Sequence, residues 1–307
     1  MEILLPAWVF GFGLLFGSFL NVCIYRLPRG LSVVKPRSAC PNCHQQIAFY
    51  DNVPVLSWLL LRGRCRSCKT RISPRYALVE LLTGTLFLVC FLQFGPTLAT
   101  LKWCVFGFLT LGLIFTDAET KLLPDKLTLT GLVLGLAFSG FVPVRDLAAQ
   151  FLAGWAPASL DSDTTGRLLS LMDAALGALV GASFIYGVGE IYFRARGIEG
   201  MGFGDVKLMG MVGAFLGVKL TVFTMFAASV MGSLFGLSSV LVVWLKRTRR
   251  RIAHNHETAV QARKRAWQSA RLMYRFYQMP FGVFLGGMAL IALFFGGPLL
   301  HWYWGTL

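Results

Sequence analysis

The sequence predicts an all-α polytopic membrane protein of about eight transmembrane helices, with a zinc-binding cytoplasmic loop between the first two. Three observations predict it. Of the 307 residues, 56% are hydrophobic and 14% charged, and the mean hydropathy of +0.64 is far too high for an ordinary soluble domain. The apolar residues gather into eight runs of spanning or near-spanning length, and the basic residues gather between alternate runs.

The runs are, in order, 3–25, 77–95, 99–116, 127–144, 171–193, 206–218, 220–245 and 279–300. A hydrocarbon core about 30 Å thick asks for about 20 helical residues, so the sixth run is short for a full span and reads as a tilted or broken helix. The first run is followed by the charged "YRLPRG" and no small-residue cleavage pattern, and is read as a retained helix rather than a removed signal peptide.

The net charge of +15 does not point to nucleic acid, because of where the cations lie. Ten Lys/Arg fall in 26–75, two in 117–126, three in 193–207 and ten in 246–278, which is 25 of the 29. The positive-inside rule then puts both termini outside and these segments in the cytoplasm, against the anionic lipid of the inner membrane leaflet. With eight spans, Asp117 and Asp205 fall at a similar depth on the cytoplasmic side.

The first cytoplasmic loop carries Cys40, Cys43, Cys65 and Cys68 as two C-x-x-C pairs with 21 residues between them. Disulfides are disfavoured in a reducing compartment, and paired knuckles at this separation are the signature of a tetrahedral four-cysteine zinc site. The alternative is free or redox-active thiols. Four thiolates leave no open position on the metal, so its expected role is structural. His44 follows Cys43 and is read as a solvated loop histidine; Cys23, Cys90 and Cys104 fall in apolar helices and are read as small core residues.

The chemistry centres on the carboxylates. An ionisable side chain in an apolar setting costs free energy and is a functional-site candidate by default. Asp205 stands between a glycine-rich turn and an apolar run in "GMGFGDVKLMGMVGAFLG", and Asp117 closes the third run in "FTDAETKLLPD". Two carboxyl groups brought together share a proton, so one can act as general base on water and the other as acid toward a scissile carbonyl. Gly202 and Gly204 fit such a site, because they allow close backbone approach and turn conformations that other residues resist. No serine elbow or H-E-x-x-H helix offers another hydrolytic route. A different class stays open, a proton- or cation-coupled transporter using intramembrane carboxylates, as does a zinc-stabilised scaffold without catalysis.

Seven motifs in order, "GSFLNVCIYRLPRG" at 17–30, "CPNC" at 40–43, "DNVPVLSWLLLRGRCRSC" at 51–68, "SPRYALVELLTG" at 73–84, Asp117 with six residues between it and Pro124-Asp125, "GFGD" at 202–205 and "PFGVFLG" at 280–286, resemble the type IV prepilin leader peptidases. These are membrane aspartyl proteases of bacteria that also N-methylate the cleaved pilin. The resemblance implies that Asp117 and Asp205 are the catalytic pair, with Gly202, Gly204 and Lys207 in the signature around the second; Lys207 is free to pair with substrate or a lipid headgroup. It implies prepilin or pseudopilin substrates, cut after a glycine at the cytoplasmic face of the inner membrane, and methylation of the new N-terminus with S-adenosylmethionine. The pilin system, whether type IV pilus, type II secretion or competence apparatus, stays open. No dinucleotide-type glycine motif marks a cofactor site, so the candidates in the matching motifs are Gly17, Asn21, Arg26, Asp51, Asn52, Arg75 and Glu80. For each polar one, a helix-end or loop hydrogen bond is an equal reading. Asp125, the rival for the first catalytic position, is read instead as the N-cap of the fourth membrane helix.

The implied domains are a first helix at 1–25, the four-cysteine region at 26–76, associated with methyl transfer, and a peptidase domain at 77–307. That last part departs from the family pattern in three places. The aspartates stand 88 residues apart, with the excess in an outside insertion at 141–170. A basic stretch at 246–278 is read as an amphipathic helix on anionic lipid or as a docking element for the assembly machinery. Val283 stands where the family usually has a second proline.

Overall fold

The computed structural model describes residues 4–143, 162–197, 201–255, 258–275, 279–299 and 302. The described residues are almost all helical and contain no β-strand, only two isolated bridges, Ala39 with Gln46 and Arg64 with Arg71. The helices are α1 Leu4–Arg26, α2 Leu56–Leu60, α3 Arg75–Phe94, α4 Leu98–Thr120, α5 Asp125–Phe141, α6 Ser162–Arg196, α7 Phe203–Asn255, α8 Ala259–Arg275 and α9 Phe281–Ile291, the last extended by a π-helical turn at Ala292–Gly296. Among the described residues, six helical stretches are long and apolar enough to cross a membrane; α5, with 17 residues, falls just short of that length. The chain is an integral membrane protein. Most of the outside insertion expected at 141–170 lies outside the described residues.

The sixth and seventh apolar runs share α7, which is interrupted by Gly217 at φ 76° and ψ 179°. That backbone is in the left-handed half of φ space, open to glycine at little cost. A Cβ placed on Gly181 of α6 would lie 2.6 Å from the Met209 carbonyl and 3.0 Å from Thr221 Cγ2. In one straight helix those two residues would stand about 18 Å apart, so α7 folds back on itself at Gly217. Its first arm is the core of the C-terminal half: residues 208–217 are all buried. Gly131 and Gly135 of α5 and Gly177 of α6 meet this arm with no room for a side chain, against Met211, Phe215 and the Gly213 carbonyl respectively. The ring of Phe106 of α4 meets that of Phe215 in a tilted pair, centroids 5.0 Å apart.

In the N-terminal half, α1 and α3 cross through small residues. A Cβ on Gly13 would meet Gly84 Cα at 2.8 Å, and one on Gly17 would meet Glu80 Cα at 2.6 Å, which is how small residues let membrane helices approach. Leu20 then packs on Gly112 of α4 and joins the halves. At the far end of α4, Lys102 is fully buried, its Nζ 3.4 Å from Ser139 Oγ and 3.5 Å from the Val142 carbonyl.

The basic stretch is helical where described, but it does not form a lone surface helix. Residues 246–255 prolong α7, and α8 packs against α7 through the buried Ala262, Ala266 and Ala270. The Trp244 indole N–H donates to the Arg263 carbonyl at 3.1 Å, and Trp244 meets Trp267 edge to face.

Candidate active site and metal centre

Asp117 lies in the last turn of α4 and Asp205 in the first turn of α7, and both are buried. The α4 helix ends where Lys121, at φ 55°, donates its N–H to the Asp117 carbonyl. The chain then runs through Leu123 and the extended Pro124 into α5. Leu123 is the common neighbour that brings the pieces together. A Cβ on Gly204 would lie 2.9 Å from Leu123 Cβ, and one on Gly282 would lie 3.3 Å from Leu123 Cδ1 and 2.9 Å from Asp117 Oδ2. Asp117 is within electrostatic reach of Asp205. Its Oδ2 accepts the Val283 N–H at 3.0 Å, one of the first-turn donors of α9 that has no partner within its own helix.

The signature residues divide by environment. Gly204 is pressed on Leu123, whereas a Cβ on Gly202 would find nothing nearer than 3.9 Å. Neither glycine takes a positive φ, so the expectation of a turn conformation reserved to glycine is corrected: the constraint at Gly204 is crowding, and Gly202 is open. Lys207 donates to Asp125 Oδ1 at 2.6 Å and lies over the Phe203 ring. Asp125 is the first helical residue of α5 rather than its N-cap. Pro124 holds the cap position with no side-chain cap bond, and the Asp125 carboxylate is turned to Lys207 instead.

The four loop cysteines converge, all Sγ atoms lying within 4.8 Å of one another and Cys40 and Cys68 at 3.7 Å. A tetrahedron with metal–sulfur bonds of about 2.3 Å has edges of about 3.8 Å, so the set fits a four-thiolate ion. The two knuckles repeat each other. In each, the N–H after the second cysteine bonds the carbonyl of the first (His44 to Cys40, Lys69 to Cys65), that residue has φ 57°, and a bridge closes the loop. Thr70, through its hydroxyl and its main chain, brings the Cys68 thiol down to about 5, toward the thiolate a metal needs. Asn42 crosses between the knuckles, its Nδ2 donating to Thr70 Oγ1 at 2.9 Å. His44 is exposed and stands outside the cluster, and Cys23, Cys90 and Cys104 are buried.

Most of the seven cofactor candidates have partners within the chain. Arg26 donates to the Ser32 and Pro36 carbonyls. Asp51 binds Arg66 through both carboxylate oxygens, which holds its carboxyl below the usual range. Arg75 pairs with Glu119. Glu80 accepts the N–H of Val55 at 2.7 Å; Val55 sits at φ 61°, an uncommon conformation for a β-branched residue. Gly17 serves the α1–α3 crossing, and Asn52 is exposed. Asn21 donates to the Tyr76 carbonyl at 2.9 Å, while its Oδ1 is buried without a partner. Sequence reasoning missed Glu119, Leu123 and the Val283 N–H. Glu119 stood in the quoted acidic segment, but its partner lies 44 residues away, and a main-chain donor has no sequence sign.

Two family models match the chain, the bacterial Peptidase A24 N-terminal domain over residues 12–94 and the type IV leader peptidase family over residues 103–237. Similar curated proteins carry the name prepilin leader peptidase/N-methyltransferase. That of Aeromonas salmonicida strain A449 is 32% identical over 97% of this chain and 94% of its own. Those of Neisseria gonorrhoeae and Myxococcus xanthus are each 36% identical, over 72% and 78% of this chain and 77% and 64% of their own. No solved structure matches.

Proposed function

The chain belongs to the type IV leader peptidase family, whose members here are prepilin leader peptidase/N-methyltransferases, and from that premise we propose that Asp117 and Asp205 carry the cleavage. The observation that supports the pair most directly is their burial at one end of the bundle, joined through Leu123 and Gly282. One carboxylate takes a proton from water as its oxygen attacks the scissile carbonyl, and the protonated partner gives its proton to the carbonyl oxygen. Collapse of the tetrahedral intermediate breaks the C–N bond, and the amine leaves with a proton. The Val283 N–H fixes Asp117, and the open side of Gly202 leaves room for a peptide backbone. The transporter reading finds no support among these relatives.

The substrate would be a prepilin or pseudopilin with a basic leader, cut at the cytoplasmic face of the bacterial inner membrane. That side follows from the positive-inside count. The division at 1–25, 26–76 and 77–307 is proposed with it. Zinc is the metal that best suits four thiolates, and it would cross-link the loop without joining the reaction.

S-adenosylmethionine supplies the methyl group in the second activity. Asn21 Oδ1 on α1, a buried acceptor without a partner, and the Glu80 carboxylate on α3 are proposed as acceptors for an ammonium group of the donor or the product. The basic pair formed by the end of α7 and α8 is proposed to sit on anionic lipid.

The test is to incubate the detergent-purified protein with a full-length prepilin and S-adenosylmethionine, beside Asp117→Asn and Asp205→Asn, and to read intact masses. Loss of the leader with gain of one methyl group is expected for the unaltered chain, and no cleavage for either variant. Variants that still cleave would remove the aspartates from the mechanism.

A further inference from the structure

The first six residues of α3 reach three separate parts of the chain. Arg75 pairs with Glu119, two residues beyond Asp117 in the same turn of α4. The Tyr76 carbonyl accepts the Asn21 side chain of α1. Glu80 holds the Val55 N–H of the cysteine loop. The Arg75–Glu119 pair is the outermost of these ties and joins the end of the cysteine region to the helix of the first aspartate. Its side chains are only 16% and 32% exposed, so solvent screens it less than an ordinary surface pair.

The two reactions proposed above follow each other on one atom. Cleavage creates an amine at the aspartates, and methylation consumes it. Resting on that reading, we propose that Arg75 and Glu119 are positioning residues that couple the two steps. The pair seats the loop-bearing end of α3 against the turn of Asp117, so the new amine passes to the methyl-transfer site before the product dissociates. Proximity of this kind turns a second encounter into an intramolecular step. Neither residue touches the reacting atoms in this role, and without the pair both steps still run but in poorer sequence.

The experiment uses the full chain in detergent, a full-length prepilin and S-adenosylmethionine under single-turnover conditions, with cleaved and cleaved-methylated products counted by intact mass. In Arg75→Glu and in Glu119→Arg, unmethylated cleaved pilin should accumulate, and the ratio of methylated to cleaved product should fall about tenfold at early times. The exchanged double variant should recover to within about threefold of the unaltered chain. A pair needed only for folding would lower both products together and leave their ratio unchanged. Should the reversals fail to fold, Glu119→Gln keeps the shape and removes the charge, with an expected fall of about threefold. An unchanged ratio in the folded single variants, or an exchange that fails to restore it, overturns the coupling. An unaltered chain that does not cleave counts instead against the aspartyl reading and takes this inference down with it.

Discussion

The main-chain N–H of Val283 donates to the Oδ2 of Asp117 at 3.0 Å. The carboxylate thus lies on the first turn of α9, where helix N–H groups lack internal partners and the dipole favours an anion. Proline at 283 would delete this donor at a helix position that tolerates its ring. Since the family usually has proline here and the Gly282 N–H also reaches Asp117, Val283→Pro is expected to keep kcat within about threefold of the unaltered chain, with KM little changed. Val283→Ala keeps the N–H and should retain full turnover, which peptide cleavage assays on the pair would check.

The glycines around the site should not be equivalent. Gly282→Ala drives a methyl to 2.9 Å from Asp117 Oδ2, and Gly204→Ala drives one to 2.9 Å from Leu123 Cβ. Both displace atoms that hold the aspartates, and small misplacements of a catalytic group cost about a hundredfold. Gly202→Ala meets open space and is expected to raise KM for prepilin more than it lowers kcat. Steady-state kinetics on the three variants would show the order, and equal losses would contradict the packing account.

Apolar runs were legible because the bilayer imposes length on every span, and the break in the sixth and seventh runs was legible as a boundary. What the break does was not. The reversal at Gly217 depends on α6 approaching both arms, a fact held in contacts rather than in hydropathy. Similarly α6 begins at Ser162, before the apolar run at 171, because Thr164, Thr165 and Arg167 lower hydropathy without interrupting a helix. At the candidate site the two carboxylates and four cysteines stood out by residue type and spacing. The partner of Lys207 did not, since an ion pair to Asp125 across 82 residues leaves no local pattern, and Val283 appeared only as a departure from a familiar motif.

The four-cysteine cluster predicts one bound zinc per chain by elemental analysis of the purified protein. Cys65→Ser should lose most of it, because removing a thiolate opens a closed site. Stripping the metal with a chelator should expose the loop to protease within 31–72 and abolish methylation before it abolishes cleavage. A loop equally resistant with and without metal would contradict the structural role.

Lys207 and Asp125 form a pair that is partly exposed, at 23% and 58%, so it is expected to be worth little on its own. Lys207→Met and Asp125→Asn should each lower cleavage about twofold to fivefold, and the double variant should be no worse than either single one. Losses that multiply would show that one of the two contacts substrate instead.

The fold at Gly217 closes protein around most of the arm that carries Asp205, residues 208–217 all being buried. Spans that touch lipid must tilt, stretch or thin the bilayer when its thickness changes. Residues 208–217 pack on α4, α5 and α6 instead, so the seat of Asp205 at the head of this arm is set by protein packing more than by acyl-chain length. The enzyme thereby keeps its second carboxylate in register in membranes of differing thickness, while the surrounding helices absorb the mismatch.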